Sequence, residues 1–242
     1  MRALALVSAL LLAAPLAGAA ACLETVENRI LELVNLERRN RGLRPLQVDE
    51  TLRRIARNHD DDMLARGFFS HVNPSGEGPS DRIARQHRRL IGVTGENIWE
   101  SSGDFASRHS DLAAEIMRAW MSSPGHRENI LRKDFTHLGA GVCAEGREIR
   151  ATQEFATIQS LLTHLLPAVV KSGSAVDLSN SGGRPADLFD IWSKRAARAI
   201  TRAAPIPGAR LEAPPGIYVL RFYFSRGPGR FMIYEGPSIE IR

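Results

Sequence analysis

HLGAGVCAEGREIRATQEFATI, residues 137–158, decides the fold class of this chain. Apolar and polar side chains alternate through it, and Glu145-Gly146 near its middle supplies a turn. It therefore predicts two antiparallel strands joined as a hairpin. Gly139 and Gly141 suit a strand that packs closely on another element, not a phosphate-binding loop. The residues before this stretch follow a helical period instead. LETVENRILELVNLERRNRG (23–42) brings Val26, Ile30, Leu33 and Leu36 or Glu37 near one another and stops at Gly42. DETLRRIARNHDDDMLARG (49–67) repeats the design with Leu52, Ile55, Ala56, His59 and Met63, ending at Gly67. SDRIARQHRRLIG (80–92) predicts a short third helix capped by Ser80, and SDLAAEIMRAWM (110–121) a fourth with Leu112, Ile116 and Trp120 on one face. SSPGHRENIL (122–131) predicts a fifth, with a serine cap and Pro124 at its first position. Helices followed by paired strands indicate an α+β layered domain, not a parallel βαβ sheet.

Both ends of the chain differ from this region. MRALALVSALLLAAPLAGAA (1–20) has one arginine before a long Ala/Leu run that ends in small residues. Residues 1–21 read as a secretory signal peptide, so the protein is expected to be exported, to the periplasm or the exterior. Loss of Arg2 takes Lys+Arg from 32 to 31 against 27 Asp+Glu, and the formal charge from +5 to +4. Nearly all the positive charge is arginine scattered through helices, with no aromatic-basic motif, which argues against nucleic acid as a partner. Only two cysteines occur. Cys22 is read either as a lipidated N-terminal residue, the one route to a membrane, or as the partner of Cys143 in a disulfide. After residue 160, KSGSAVDLSNSGGRP (171–185) is rich in turn residues. Tyr218, Leu220, Phe222 and Phe224 alternate before a Gly-Pro-Gly turn and a second alternating run. Residues 165–242 are thus expected to form a small β-sandwich-like, β-rich C-terminal domain. DIWSKRAARAITRA (190–203) fits a strand pair or a helix there.

Three polar residues stand out between 68 and 131. FFSHVNPSG carries His71, TGENIW carries Glu96, and SSPGHRENIL carries His126 in the first turn of its helix. The helix dipole disfavours imidazolium there, leaving a neutral ring that ligates, accepts a proton or simply packs. His, Glu and His from separate loops are the residue types of an open metal site and of acid–base chemistry. Spacing alone does not bring them together, and each also has an ordinary structural reading. His59, on an apolar helix face, reads as a core residue. Ser70 beside His71 carries no mark of an activated nucleophile.

Read in order, FFSHVNPSG, GENIW, AWMSSPGHRENIL, LGAGV and TQEFA resemble the bacterial branch of the CAP superfamily, the cysteine-rich secretory, antigen 5 and pathogenesis-related proteins. The resemblance covers roughly residues 25–158, so the domain is placed at 23–160. It implies an α–β–α sandwich with a cleft holding two histidines and two acidic residues. His71 and His126 match the histidines and Glu96 one acid, whereas Ser123 stands where the second acid falls. The resemblance implies a non-enzymatic module binding a lipid, a glycan or a divalent metal such as zinc through His71, Glu96 and His126. A metal-dependent hydrolase and a structural envelope protein are the alternatives.

Overall fold

A computed structural model describes residues 20–103 and 109–242, so most of the expected leader lies outside the described residues. The first part of the chain runs β1 (Ala21–Cys22), α1 (Glu24–Arg39), β2 (Gln47–Val48), α2 (Glu50–Arg66) and α3 (Pro79–Gln86). It continues through β3 (Leu90–Ser102), α4 (His109–Ser122), α5 (Pro124–Leu131), β4 (His137–Glu145) and β5 (Glu148–Leu162). The expected hairpin is β4–β5, with Glu145 opposite Glu148 and Gly146 at φ +58° in its turn. Beyond it lie β6 (Val169–Val170), β7 (Ser174–Ala175), β8 (Asn180–Ser181), β9 (Leu188–Ser193), β10 (Arg198–Ala199), β11 (Ala204–Pro205) and β12 (Arg210–Leu211). Two long strands close the chain, β13 (Gly216–Ser225) and β14 (Phe231–Ile241).

The helices sandwich the first strands as the resemblance implied. On one face, Val26, Ile30 and Val34 of α1 pack with Leu112, Ile116 and Trp120 of α4 against Val142, Ile149 and Phe155. On the other, Leu52 and Ile55 of α2 and Ile83 of α3 meet Leu90 and Ala156. α2 presses so closely on β4 that a Cβ at Gly139 would fall 2.0 Å from the Arg53 nitrogen. The expected face of α1 needs one correction: Leu36 is 45% exposed, and the buried row runs Val26, Ile30, Val34, Arg38. That row advances by four residues, one of the two spacings that keep side chains on one face of a helix. Arg38 belongs in it because its guanidinium donates to the carbonyls of Arg44 (2.8 Å), Ile130 (2.8 Å) and Arg132 (2.9 Å), closing the end of α5. α3 starts two residues earlier than a Ser80 cap implies and ends at Gln86, the expected last residues Leu90–Gly92 belonging to β3 instead. Pro79 occupies its first position, and Asp81, not Ser80, accepts from the Gly78 N–H at 3.0 Å.

The C-terminal strands have their own core, built on Leu178, Phe189, Ile191, Leu220, Phe222 and Phe224. They also prolong the first sheet, in the order β1-β4-β5-β3-β14-β13-β9-β10. The join is made at two places: Glu235 of β14 pairs with Gly92 of β3, and Ser181 and Asn180 of β8 pair with Leu161 and Leu162 of β5, while Ile91 and Leu162 contribute to the C-terminal core. Residues 190–203 form a strand pair, with Trp192 opposite Ala199.

Candidate functional site

The site gathers around the second edge of β3. One edge of that strand pairs with β5 from Leu90 to Ser102, and the other meets β14 only at Gly92. Further along, helix side chains occupy the second edge. Asn129 Nδ2 donates to the Glu96 carbonyl (3.1 Å) and Trp120 Nε1 to the Ile98 carbonyl (3.1 Å). Side chains alternate across the sheet. Glu96 therefore faces the α2 side with Glu154, its register partner, while Asn97 and Gln153 share the opposite face.

On the α2 side, His71 comes from the loop between α2 and α3, with its side chain half exposed. Its Nδ1 lies 2.6 Å from Glu96 Oε1. Arg82 of α3 donates Nη2 to Glu96 Oε2, and Nη1 to the carbonyls of His71 (2.9 Å) and Glu77 (3.1 Å). Burial alone would raise the Glu96 carboxyl, but the His71 hydrogen bond and the charges of Arg82 and His59 outweigh it and hold the group below its ordinary value. Glu96 is thus an ionised acceptor, and His71 Nδ1 is the donor. Nε2 is then the ring nitrogen with no hydrogen-bond partner among the described residues.

Beneath this pair lies a layer of buried polar groups. Glu154 is fully buried, its Oε1 is 3.8 Å from Arg82 Nη2, and neither of its oxygens has a hydrogen-bond partner. Burial, and then the Glu96 charge, push its carboxyl well above the ordinary range. Asp60 accepts from Thr152 Oγ1 at 2.6 Å, and burial raises it likewise. His59 Nε2 donates to the Ser70 carbonyl at 3.1 Å, and burial lowers its pKa. His59 is a core residue, as its helix face indicated.

His126 sits in the first turn of α5, where Asn97 Nδ2 donates to its carbonyl at 3.1 Å. Burial and the charge of His71 lower its pKa, so the ring is neutral near pH 7. Ser123 is the residue that caps α5, but its side chain makes no capping bond; its carbonyl accepts from the Arg127 N–H (2.9 Å).

The expected metal set is only partly brought together. His71 and Glu96 touch, but the ligand atoms of His71, Glu96 and His126 do not all fall within 4.8 Å of one another. Both Glu96 oxygens are already engaged, one by His71 and one by Arg82. Among the described residues the trio that meets that distance is Cys22, Asp61 and Cys143, and its sulfurs are bonded to each other at 2.07 Å. The disulfide uses the sulfur that a lipid anchor at Cys22 would require.

Arg82 and Glu154 were not singled out from the sequence. The signal for Glu154 was present: in TQEFA, Thr152, Glu154 and Ala156 share one buried face, and a charged residue type on such a face demands a partner.

The CAP model, described as the cysteine-rich secretory protein family, matches residues 31–155. The uncharacterized protein YkwD of Bacillus subtilis (strain 168) is 36% identical over 120 residues, 50% of this chain and 43% of the relative. The uncharacterized membrane protein YlbC of the same strain is 36% identical over 118 residues, 49% of this chain and 32% of the relative. This chain thus matches less than half the length of these curated relatives. Among solved structures, an extracellular protein containing an SCP domain from Bacillus anthracis str. Ames is 31% identical, with a TM-score of 0.47 over 55% of this chain and 40% of that one.

Proposed function

The chain belongs to the cysteine-rich secretory protein (CAP) family, and from that membership we propose that it is an exported module whose cleft at the edge of β3 binds a ligand without turning it over. The observation that carries this is the His71–Glu96–Arg82 arrangement. Glu96 orients His71 and is itself neutralised, and among the described residues no hydroxyl or thiol hydrogen-bonds either cleft imidazole. Nucleophilic catalysis needs such a pair. The cleft offers the His71 Nε2 and the neutral His126 ring, a pattern suited to hydroxyl or carbonyl groups of a glycan or a lipid headgroup.

A divalent metal such as zinc fits this donor set poorly. Catalytic zinc takes three protein ligands. Here Glu96 is committed to a guanidinium, so two imidazoles remain, and Glu96 acts as the group that aims one of them. The metal-dependent hydrolase is disfavoured for that reason. Export is supported by the disulfide, which persists in oxidising compartments. Among the described residues no helix is long and apolar enough to cross a membrane.

The test titrates the chain with N-acetylglucosamine tetramer, with phosphatidylglycerol vesicles and with zinc, following the imidazole signals of His71 and His126 by NMR. Perturbation by the glycan or the vesicles, lost in His71→Ala/His126→Ala, is expected. Zinc binding near micromolar affinity that the double variant loses, together with hydrolysis of an envelope substrate, would overturn the proposal.

A further inference from the structure

β3 and β14 begin a ladder and abandon it at once. Glu235 pairs with Gly92, but the next residues, Val93 and Thr94 on β3 and Tyr234 and Ile233 on β14, diverge instead of continuing the register. The cause lies in β3. Its pairing with β5 shifts between Ile91 and Gly92, and such an irregularity re-aims a strand. Between the diverging strands lies a cavity of ≈ 320 Å³. Ile83 and Ala84 of α3, both buried, line it together with the strand residues.

Two features define what the fork accepts. The first is the pair of strand edges, which among the described residues have no strand partner at this point. A free edge presents a row of main-chain donors and acceptors, which a hydrocarbon chain leaves unsatisfied and a peptide backbone matches. The second is charge. Glu235 is held by Lys194 at 3.2 Å, Lys194 by Asp81 at 2.8 Å, and His87 lies 3.2 Å from Asp49. The carboxylate and the imidazole lining the fork, Glu235 and His87, each already have a partner, so a neutral ligand is favoured. Past the fork, β14 exposes Phe231, Met232 and Ile233 in succession, an apolar continuation of the same edge.

The geometry points to an extended, uncharged peptide segment as the occupant of the fork. Its main chain runs along the open edge of β14, and its small apolar side chains seat on Ile83 and Ala84. The fork is separate from the His71–His126 cleft, so its test does not depend on the ligand of that cleft.

The experiment uses the ¹⁵N-labelled chain and two probes, the peptide Ac-Ala-Val-Ala-Val-Ala-NH₂ and palmitate. The peptide is expected to shift the amide signals of Val93, Thr94, Ile233 and Tyr234 and to slow their hydrogen exchange. Ile233→Lys, at a half-exposed position where a charge blunts an edge, should weaken that response about tenfold or more and leave the remaining spectrum in place. Ile233→Val should retain it. A response to palmitate without one to the peptide would overturn the proposal and make the fork an acyl site. Silence to both probes would overturn it as well.

Discussion

Glu154→Gln tests the buried polar layer most directly. The substitution keeps the shape of the side chain and removes its titration. In the unfolded chain a glutamate carboxyl loses its proton near its ordinary value of 4.5, whereas in the folded chain burial and the Glu96 charge hold the Glu154 proton to much higher pH. The folded state therefore binds more protons than the unfolded state across that window, and stability falls as pH rises through it. Below pH 4.5 both states are protonated and the group contributes no pH dependence. Above it, the loss approaches about 1.4 kcal/mol per pH unit until the folded carboxyl ionises. Asp60 adds a loss of the same sign, but it does so in both proteins and cancels in the comparison. Urea denaturation at pH 4, 5, 6 and 7, followed by the fluorescence of the buried Trp120, measures the difference. Glu154→Gln should match the parent at pH 4 and gain on it at each higher pH. Parallel profiles over the whole range would refute the raised carboxyl and place an ionised pair, Glu96 and Glu154, around Arg82.

Arg82→Met should destabilise the chain by about 3–5 kcal/mol in urea denaturation, because it strands the Glu96 carboxylate in the interior, and adding Glu96→Gln should recover a large part of that loss. Trp120→Ala should cost about 3–5 kcal/mol by the same assay, since the ring is fully buried and its Nε1 loses the Ile98 carbonyl. Cys22→Ser/Cys143→Ser should lower stability by about 2–5 kcal/mol, as expected for a bridge that closes a long loop, here with a separation of 121 residues. An unchanged urea midpoint in that variant would show that the β1–β4 pairing holds the N-terminal strand without the bridge.

Local chemistry carried much of this fold in the sequence. The alternation of residues 137–158 determined β4 and β5, and Gly67 at φ +63° ended α2 where its pattern stopped. The helix period likewise placed Leu112, Ile116 and Trp120 in the core. His71 and Glu96 stood out because they stand in short motifs, and the structure sets them 2.6 Å apart. Tertiary contacts decided the rest. Arg82 looked like one arginine among many on a helix, and only the packing of α3 on β3 turned it onto Glu96. The Glu154 carboxyl is pushed up because the register of β3 and β5 sets it against Glu96 in the dry interior. The C-terminal strands looked like a separate unit because their own pattern is complete, and they join the first sheet at only a few pairs, Glu235 with Gly92 and Asn180–Ser181 of β8 with Leu161–Leu162 of β5. Period and turn residues act over a few positions and are written in the chain. Charge state and strand adjacency depend on which distant segments exclude water together, and that is settled only when the sheet is assembled.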